Sequence, residues 1–345
     1  MGLVSSKGFK IGMAMIFSMA LVVSLAAGFL RPDILSGYTW WDSSWTRSAE
    51  VVIQENSNST LEDFQVKVVV PYDSDMRSDF GDVRFVGDDN TTVLPCWIED
   101  YQESESATFW VRISSLPAQG TKTIKMYYGN DEASTCSNIH NTFIWGDDFE
   151  DVEWTLNNVN QVNYYGAVQY IENGEYYQKG AGADEPIAEI VEGGQLKVFP
   201  DNYIAEVRVK PINGGAAHIN PRYDTVSDKY ECMLDAQWEN VLLAKVVEDA
   251  WTKIASTKLR SNIEPNTWYE LTSVVTKDDS TNRMRIYVDE VMCLDATDSD
   301  LMYPGLAFLS YDWNNDFHVG YDDFRVREYV SEEPTVSIGV EELPQ

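Results

Sequence analysis

Short segments in which apolar and polar side chains alternate run through almost the whole chain after residue 35. Phe64–Val70 is one such segment, and it stops at Pro71. Asp82–Val86 is another, and the turn-forming residues Gly87–Asn90 follow it. A period of two puts alternate side chains on opposite faces of a strand. Strands of this length, bounded by Gly, Pro, Asn and Asp, are typical of antiparallel sandwiches. The pattern therefore predicts an all-β protein of two β-sandwich domains.

One segment has a different character. Ile11–Leu30 carries no charge over about twenty residues, enough for a helix to cross the ~30 Å hydrocarbon core of a bilayer. Lys7 and Lys10 precede it, so the positive-inside rule places the rest of the chain outside the cell. Three interpretations stay open: an uncleaved signal-anchor, a signal peptide cleaved near Ser24–Ala26, or a pilin-like leader. Each predicts a surface or extracellular protein, membrane-anchored through residues 11–30 or secreted.

A change in composition near Gly146 predicts a domain boundary. A polar Ser/Asn stretch lies before it, and the acidic run Asp147–Asp151 opens the next part. After Tyr329 the chain is acidic and contains two prolines, which predicts a loose tail. The predicted divisions are 1–37 (signal-anchor or signal peptide), 38–146 (β-sandwich), 147–330 (second sandwich) and 331–345 (flexible acidic tail).

The formal net charge is −31, from 56 acidic and 25 basic residues. A field of this sign repels nucleic acid and anionic lipid, so neither is an expected partner. Only three histidines occur in the sequence, which argues against a transition-metal site built from several histidines.

The four cysteines are Cys96, Cys136, Cys232 and Cys293, two in each half of the chain. Their spacing matches no C-x-x-C or zinc motif. In an oxidising compartment this distribution favours one disulfide per domain, Cys96–Cys136 and Cys232–Cys293. The alternative is four buried free thiols.

Residues from Trp45 to Phe149 resemble a domain of unknown function that recurs in prokaryotic surface proteins. The resemblance implies a β-sandwich module outside the cell and no particular chemistry. Its carriers are Trp45, Arg47, Asp79–Phe85, Leu94, Trp97–Glu99, Phe109–Val111 and Met126–Asn130.

Residues 147–330 resemble the concanavalin A-like jelly roll in its laminin-G-like branch. Met284–Glu290 matches the hairpin of that branch, with Glu290 where a glycine is common. The other carriers are Trp268–Leu271, Gly305–Phe308 and Tyr321–Val326. These are packing and turn motifs, so the resemblance implies the fold rather than an activity.

Enzymes of that family that cleave β-glucans carry an E-x-D-x-x-E strand motif, whose carboxylates serve as nucleophile and acid. Here the nearest acidic cluster, Asp148–Glu153, has another spacing and lies at the opening edge of the domain. Glu189–Glu192 matches only the end of the motif, because Ile187 stands where the first carboxylate belongs. Motifs for a nucleophile elbow, a P-loop or a zinc protease are absent from the sequence. The prediction is a protein that is not an enzyme.

Acidic residues stand at both ends of the second domain. Asp148 and Glu150 near its start would face Asp322 and Asp323 near its end, since the first and last strands of a jelly roll often lie side by side. Carboxylate oxygens suit Ca²⁺, and the resemblance implies a structural calcium ion. The alternative is that these carboxylates are solvated or accept backbone N–H groups.

Aromatic side chains next to amides and carboxylates predict a sugar-binding surface, because a sugar ring packs its apolar face on an aromatic ring. Tyr311, Trp313 and Asn314 have this mixture in a loop between two predicted strands. Trp251 near Asp249, and Trp238 with Glu239 and Asn240, are weaker candidates. The alternative is that a tryptophan is buried in the core and binds no ligand. This applies to most tryptophans of the chain, because they lie in segments with strand alternation.

These patterns together predict a cell-surface binding or adhesion protein that recognises an extracellular glycan or envelope polymer through its jelly roll. One alternative is a self-assembling structural subunit of an envelope layer or pilus-like filament. Another is an enzyme acting on polysaccharide.

Overall fold

The computed structural model describes residues 40–182, 185–259, 261–312 and 316–344. The hydrophobic segment Ile11–Leu30 lies outside the described residues, so its three interpretations stay predictions. In the described part, neither helix has the length and apolarity that a membrane span requires.

The elements of the first part of the chain are β1 (Arg47–Gln54), β2 (Leu61–Pro71), β3 (Arg84–Val86), β4 (Cys96–Gln102), β5 (Ser106–Leu116), β6 (Thr121–Tyr128), α1 (Ile139–Thr142), β7 (Trp145–Asp147), α2 (Val152–Asn158), β8 (Val159–Tyr164), β9 (Val168–Glu172) and β10 (Glu175–Ala181). Those of the second part are β11 (Glu185–Glu192), β12 (Gln195–Leu196), β13 (Tyr203–Asn213), β14 (Ala216–Tyr223), β15 (Lys229–Asp235), β16 (Asn240–Val247), β17 (Ala250–Lys258), β18 (Tyr269–Asp278), β19 (Thr281–Val288), β20 (Val291–Asp298), β21 (Gly305–Tyr311), β22 (Asp316–Glu328) and β23 (Thr335–Glu342).

The first sandwich consists of sheet A, in the order β23-β1-β6-β3, and sheet B, in the order β2-β5-β4. In β2, Val66, Val68 and Val70 are buried while Lys67 and Val69 are exposed. The alternation in the sequence thus places one row of valines in the core shared by the two sheets. Each buried valine contributes about 1.5–3 kcal/mol of transfer free energy.

The second sandwich consists of two larger antiparallel sheets. Sheet C has the order β20-β19-β18-β13-β22-β10-β9, with β7 on β22. Sheet D has the order β12-β11-β21-β14-β15-β16-β17, with β8 on β11. Alternate residues of both sheets fill one core between them, for example Val207 of sheet C and Leu234 of sheet D. The predicted all-β class with two sandwiches is confirmed. The domain limits at 38–146 and 147–330 remain predictions, and β7 crosses the limit between them.

The prediction of a loose acidic tail is wrong for most of its length. Residues Thr335–Glu342 form β23, which pairs antiparallel with β1 at the edge of sheet A. Basic and hydroxyl groups of β6 offset the acidity of the strand, since Lys125 Nζ lies 2.7 Å from Glu342 Oε2 and Tyr128 donates to Glu341. The acidic composition of this segment therefore misled the prediction. The segment is ordered as a strand because its backbone pairs with the edge of β1.

One of the two predicted disulfides is present and the other is not. Cys96 and Cys136 form a disulfide, as expected. Cys232 and Cys293 are free thiols, so the second predicted disulfide is wrong. The reason is their placement: Cys232 points into the core from sheet D, where Ser273 donates to its sulfur, whereas Cys293 lies on β20 of sheet C and is partly exposed.

The outer face of sheet C lies against the first sandwich. Arg325 binds Glu206 at 3.1 Å and Glu99 of β4 at 2.6 Å, and Arg327 binds Glu206 at 3.1 Å. Burial by itself raises the pKa of Glu206, but Arg327 and Arg325 outweigh it and hold that pKa at about 2. A carboxylate buried between two guanidinium groups is therefore ionised and fully paired.

A groove of about 780 Å³ lies between the outer faces of sheets B and C. Lys67 and Arg327 lie over the ring of Trp110, at 5.4 and 4.8 Å from its centroid. Arg285 lies over Tyr329 in the same way, at 5.0 Å. Two of the three aromatic rings that line this groove are thus covered by cations of the chain itself.

Candidate functional site

The outer face of sheet D forms a cleft of about 680 Å³, and all its described lining residues belong to the second sandwich. Strand register assembles its floor from side chains that are far apart in sequence. In one row, Leu309 pairs with His218, His218 with Met233, and Met233 with Leu242. The lining residues used below are Glu185, His218, Lys229, Glu231, Met233, Asp235, Trp238, Asn240, Leu242, Asp249, Trp251, Tyr311 and Asp312.

Two tryptophans present open ring surface to the cleft. Trp238 is 57% exposed and Trp251 is 43% exposed. Trp251 Nε1 donates to Glu231 Oε2 at 2.9 Å, which fixes the orientation of the indole. The backbone N–H of Trp238 donates to Asp235 Oδ1 at 3.0 Å, which fixes the turn that carries it. The rings are therefore held in place, with part of their apolar area still in contact with solvent.

A buried ammonium group lies at the base of the cleft. Lys229 Nζ is 3.1 Å from Glu185 and 3.6 Å from Glu231, and it donates to the carbonyl of Val226 at 2.6 Å. Burial raises the pKa of Glu231, and Lys229 opposes that rise. Lysine has three N–H donors, and these three oxygens surround them.

Two polar groups of the cleft have no hydrogen-bond partner among the described residues. They are both ring nitrogens of His218 and Oδ1 of Asn240. Burial, and secondarily Lys229, lower the pKa of His218 to about 3, so its imidazole is neutral at physiological pH. Buried polar groups in folded proteins are nearly always hydrogen-bonded, so these atoms mark unused binding capacity.

Two of the four residues predicted to bind ligand meet in this cleft, although 60 positions separate them. Tyr311 ends β21 on one side and Trp251 lies in β17 on the other. Burial raises the pKa of the Tyr311 hydroxyl. Trp313 and Asn314 lie outside the described residues, so their role stays a prediction.

Sequence reasoning missed His218, Lys229 and Glu231. A signal exists for the last two, because charged and uncharged residues alternate over Lys229–Cys232 at the start of β15. His218 gives no such signal, since a lone histidine in an apolar strand is the ordinary pattern of a core residue.

Strand β7 pairs with β22, with Asp147 opposite Phe324, so Asp148 lies near Asp323. The other contacts of the residues predicted to bind calcium differ. Arg208 lies 3.4 Å from Asp322 and 3.1 Å from Asp323. Burial, then repulsion by Asp323, raises the pKa of Asp322 above its usual range. The carboxylate of Glu150 packs over Gly174, where an added Cβ would collide with it.

Asp148 has different neighbours. One oxygen of Asp148, one of Asp147 and a ring nitrogen of His140 lie within 4.8 Å of one another. Burial raises the pKa of Asp147 to about 7. These contacts do not test the calcium prediction. The test is whether EGTA shifts the midpoint of thermal unfolding.

Comparison with known proteins gives one family match. The model of a domain of unknown function (DUF2341) matches residues 79–158, within and just beyond the stretch that resembled such a domain. No curated protein matches this chain.

Several solved structures are similar in fold. The carbohydrate-binding module CBM66 from Bacillus subtilis is 18% identical, with a TM-score of 0.39 over 50% of this chain and 98% of that one. The metal-free carbohydrate recognition domain of Emp46p is 10% identical, with a TM-score of 0.39 over 53% and 95%. The Caenorhabditis elegans galectin LEC-6 is 14% identical, with a TM-score of 0.30 over 39% and 87%. At scores and identities this low, the likenesses do not indicate what this chain binds.

Proposed function

We propose that this protein binds glycan in the cleft of sheet D and does not catalyse a reaction. The observation that carries the proposal is the pair of oriented, partly exposed tryptophans, Trp238 and Trp251, beside carboxylates that can accept hydrogen bonds from sugar hydroxyls. Ligand sites combine apolar ring surface with a few fixed polar groups in this way.

The absence of catalysis is part of the proposal and rests on how two carboxylates are engaged. Glu231 accepts from Trp251 and lies near Lys229, and Glu185 binds Lys229 from the other side. A general acid and a nucleophile need carboxyl groups free to exchange protons or attack.

The test is binding of the full chain to a panel of soluble polysaccharides by affinity electrophoresis. Trp251→Ala and Trp238→Ala should each weaken binding by at least about tenfold, as truncation of a central aromatic anchor does. Trp268→Ala is the matched control, because Trp268 packs on Arg208 and Lys210 of sheet C, away from the cleft. Equal binding by wild type and both cleft variants, or a panel without any bound polysaccharide, would contradict the proposal.

We further propose that the glycan is met at the cell surface, as an adhesion contact. This step depends on residues 11–30 directing export. Protease treatment of intact cells that produce the full chain should remove the sandwiches, and protection of both sandwiches from the protease would argue against surface display.

A structural role in an envelope layer is the second candidate, and the open edge of sheet A favours it. Among the described strands, β23 pairs only with β1, and Val340 on it is 84% exposed. Unpaired strand edges can add further strands from other copies. Sedimentation over a hundredfold range of concentration distinguishes the two: a monomer throughout would leave glycan binding as the proposed role.

A further inference from the structure

His218 occupies the middle of the cleft floor. It lies on β14 between Leu309 of β21 and Met233 of β15, and its side chain is only 3% exposed. Neither ring nitrogen has a hydrogen-bond partner among the described residues. The ring nevertheless lines a cavity large enough to admit a sugar.

An unpartnered imidazole in such a position costs free energy in the unliganded protein. Leucine or methionine would fill the same place without that cost. A neutral imidazole offers one N–H donor and one acceptor nitrogen, and a hydroxyl group can satisfy either. A ligand that places a hydroxyl group at the floor of the cleft therefore supplies a hydrogen bond that the free protein lacks.

A second unmet acceptor points into the same cleft. Asn240 Oδ1 is buried without a partner, and Asn240 pairs with Asp235 in the row next to that of His218. The unmet groups thus comprise one amide oxygen and one imidazole, and both can bond to hydroxyl groups. Neither carries a charge to neutralise an ionic ligand.

The charges of the cleft narrow the ligand class further. Among the described lining residues there are five carboxylates and one ammonium group. The ammonium group, Lys229, is already surrounded by Glu185, Glu231 and a carbonyl oxygen. An anionic sugar would meet repulsion with no free cation to offset it. A cationic amino sugar would find no carboxylate on the floor row itself, which consists of Leu309, His218, Met233 and Leu242. Glu185 and Glu231 beside that row are already engaged with Lys229.

We propose that the cleft selects uncharged sugars and that His218 binds a hydroxyl group of the sugar unit that reaches its floor. The inference rests on the proposed glycan binding and adds its ligand class and a specificity residue.

The experiment compares the full chain with His218→Phe and His218→Gln on three kinds of probe: uncharged polysaccharides (a glucan, a mannan and a fructan), polygalacturonate, and chitosan. We expect binding to an uncharged polysaccharide only. His218→Phe should lower that affinity about tenfold, the equivalent of one or two lost hydrogen bonds. Its unfolding midpoint should equal or exceed that of the wild type, because no hydrogen bond of the free protein is lost.

His218→Gln keeps a donor and an acceptor and should recover part of the affinity. It also serves as the second variant should the phenylalanine fail to fold. His318→Phe is the matched control, because that histidine lies on sheet C beside Tyr170 and should leave binding unchanged.

The outcomes are distinguishable. Binding that depends on Trp251 but prefers polygalacturonate or chitosan overturns the uncharged class, and equal affinity of His218→Phe and wild type overturns the role of His218. In both cases the proposed glycan binding stands. If no probe binds, both proposals fall.

Discussion

Each outer face of the second sandwich borders a depression, the groove on sheet C and the cleft on sheet D, but the side chains of the two are paired to different extents. On sheet C, Glu206, Arg325 and Arg327 satisfy one another, and cations of the chain cover the rings of Trp110 and Tyr329. On sheet D, Trp238 and Trp251 keep open ring surface, and both ring nitrogens of His218 lack a partner among the described residues.

Volume alone does not indicate which of the two depressions binds a ligand, since the groove on sheet C is larger than the cleft on sheet D. Two nitrogens of the groove, Trp110 Nε1 and Arg285 Nε, also lack partners in the described part of the chain. The difference lies in what a ligand could gain. In the groove, two of the three aromatic rings are covered by cations and Glu206 is paired with two arginines. In the cleft, Trp238 and Trp251 keep exposed ring surface that a ligand can contact.

The largest expected effect comes from breaking the groove. Glu206→Ala leaves Arg325 and Arg327 buried without their shared carboxylate, and this should cost about 3–5 kcal/mol of unfolding free energy. Chemical denaturation measures it. Glu290→Ala, at an exposed carboxylate of the same groove, should cost less than about 0.5 kcal/mol. A loss below about 1 kcal/mol for Glu206→Ala would mean that the network does not hold this face together.

The next effect is a pH dependence with a defined sign. The pKa of Glu206 is 4.5 in the unfolded chain and about 2 in the folded one, so the folded state holds the proton less tightly. Its contribution is complete above pH 4.5 and is lost as the pH falls towards 2. The stability difference between wild type and Glu206→Gln should therefore shrink by about 2–3 kcal/mol over that window. A difference that stays constant from pH 5 to pH 2 would contradict this assignment.

Filling the cleft and the groove in turn tests which of the two binds glycan. Leu242→Trp places an indole over the row of His218 and Met233 and should weaken glycan binding at least about tenfold. Val69→Trp fills the groove from exposed strand β2 and should leave binding within about twofold of the wild type. Affinity electrophoresis on the same polysaccharide measures both. The reverse order of effects would move the binding site to the groove.

The smallest effect concerns Arg285, a groove cation without a salt bridge in the described chain. Arg285→Gln removes its contact with Tyr329 and its attraction to Asp295 across the strand pair, and should cost about 0.5–1 kcal/mol. Arg327→Gln, which breaks two ion pairs, should cost several times more. Thermal melts of the two variants side by side give the comparison, and similar losses would show that pairing is not what distinguishes these arginines.

Local pattern was enough to predict the strands and their buried faces. Val66, Val68 and Val70 alternate with polar or exposed positions, and the rule that one face of a strand is buried needs no knowledge of the partner strand. The Cys96–Cys136 disulfide was also predictable, because both cysteines fall in one sandwich.

The cleft was predictable only in fragments. Trp251 and Tyr311 were candidates by composition, but the row that joins Leu309, His218 and Met233 depends on the register of three strands that are distant in sequence. Register between distant strands follows from global packing of the core and leaves no local mark. The same limit explains the wrong pairing of Cys232 with Cys293, which lie on opposite sheets.

The pairing of β23 with β1 has a mechanical consequence. The strands are antiparallel, and Ser48 near the start of β1 lies opposite Glu342 at the end of β23. Tension between the chain entering β1 and the chain leaving β23 would load their hydrogen bonds one at a time, beginning at that end. β23 would then peel away at low force and release roughly 25–30 Å of chain from its eight residues. Since sheet D contains neither strand, its cleft would not be loaded by this pull.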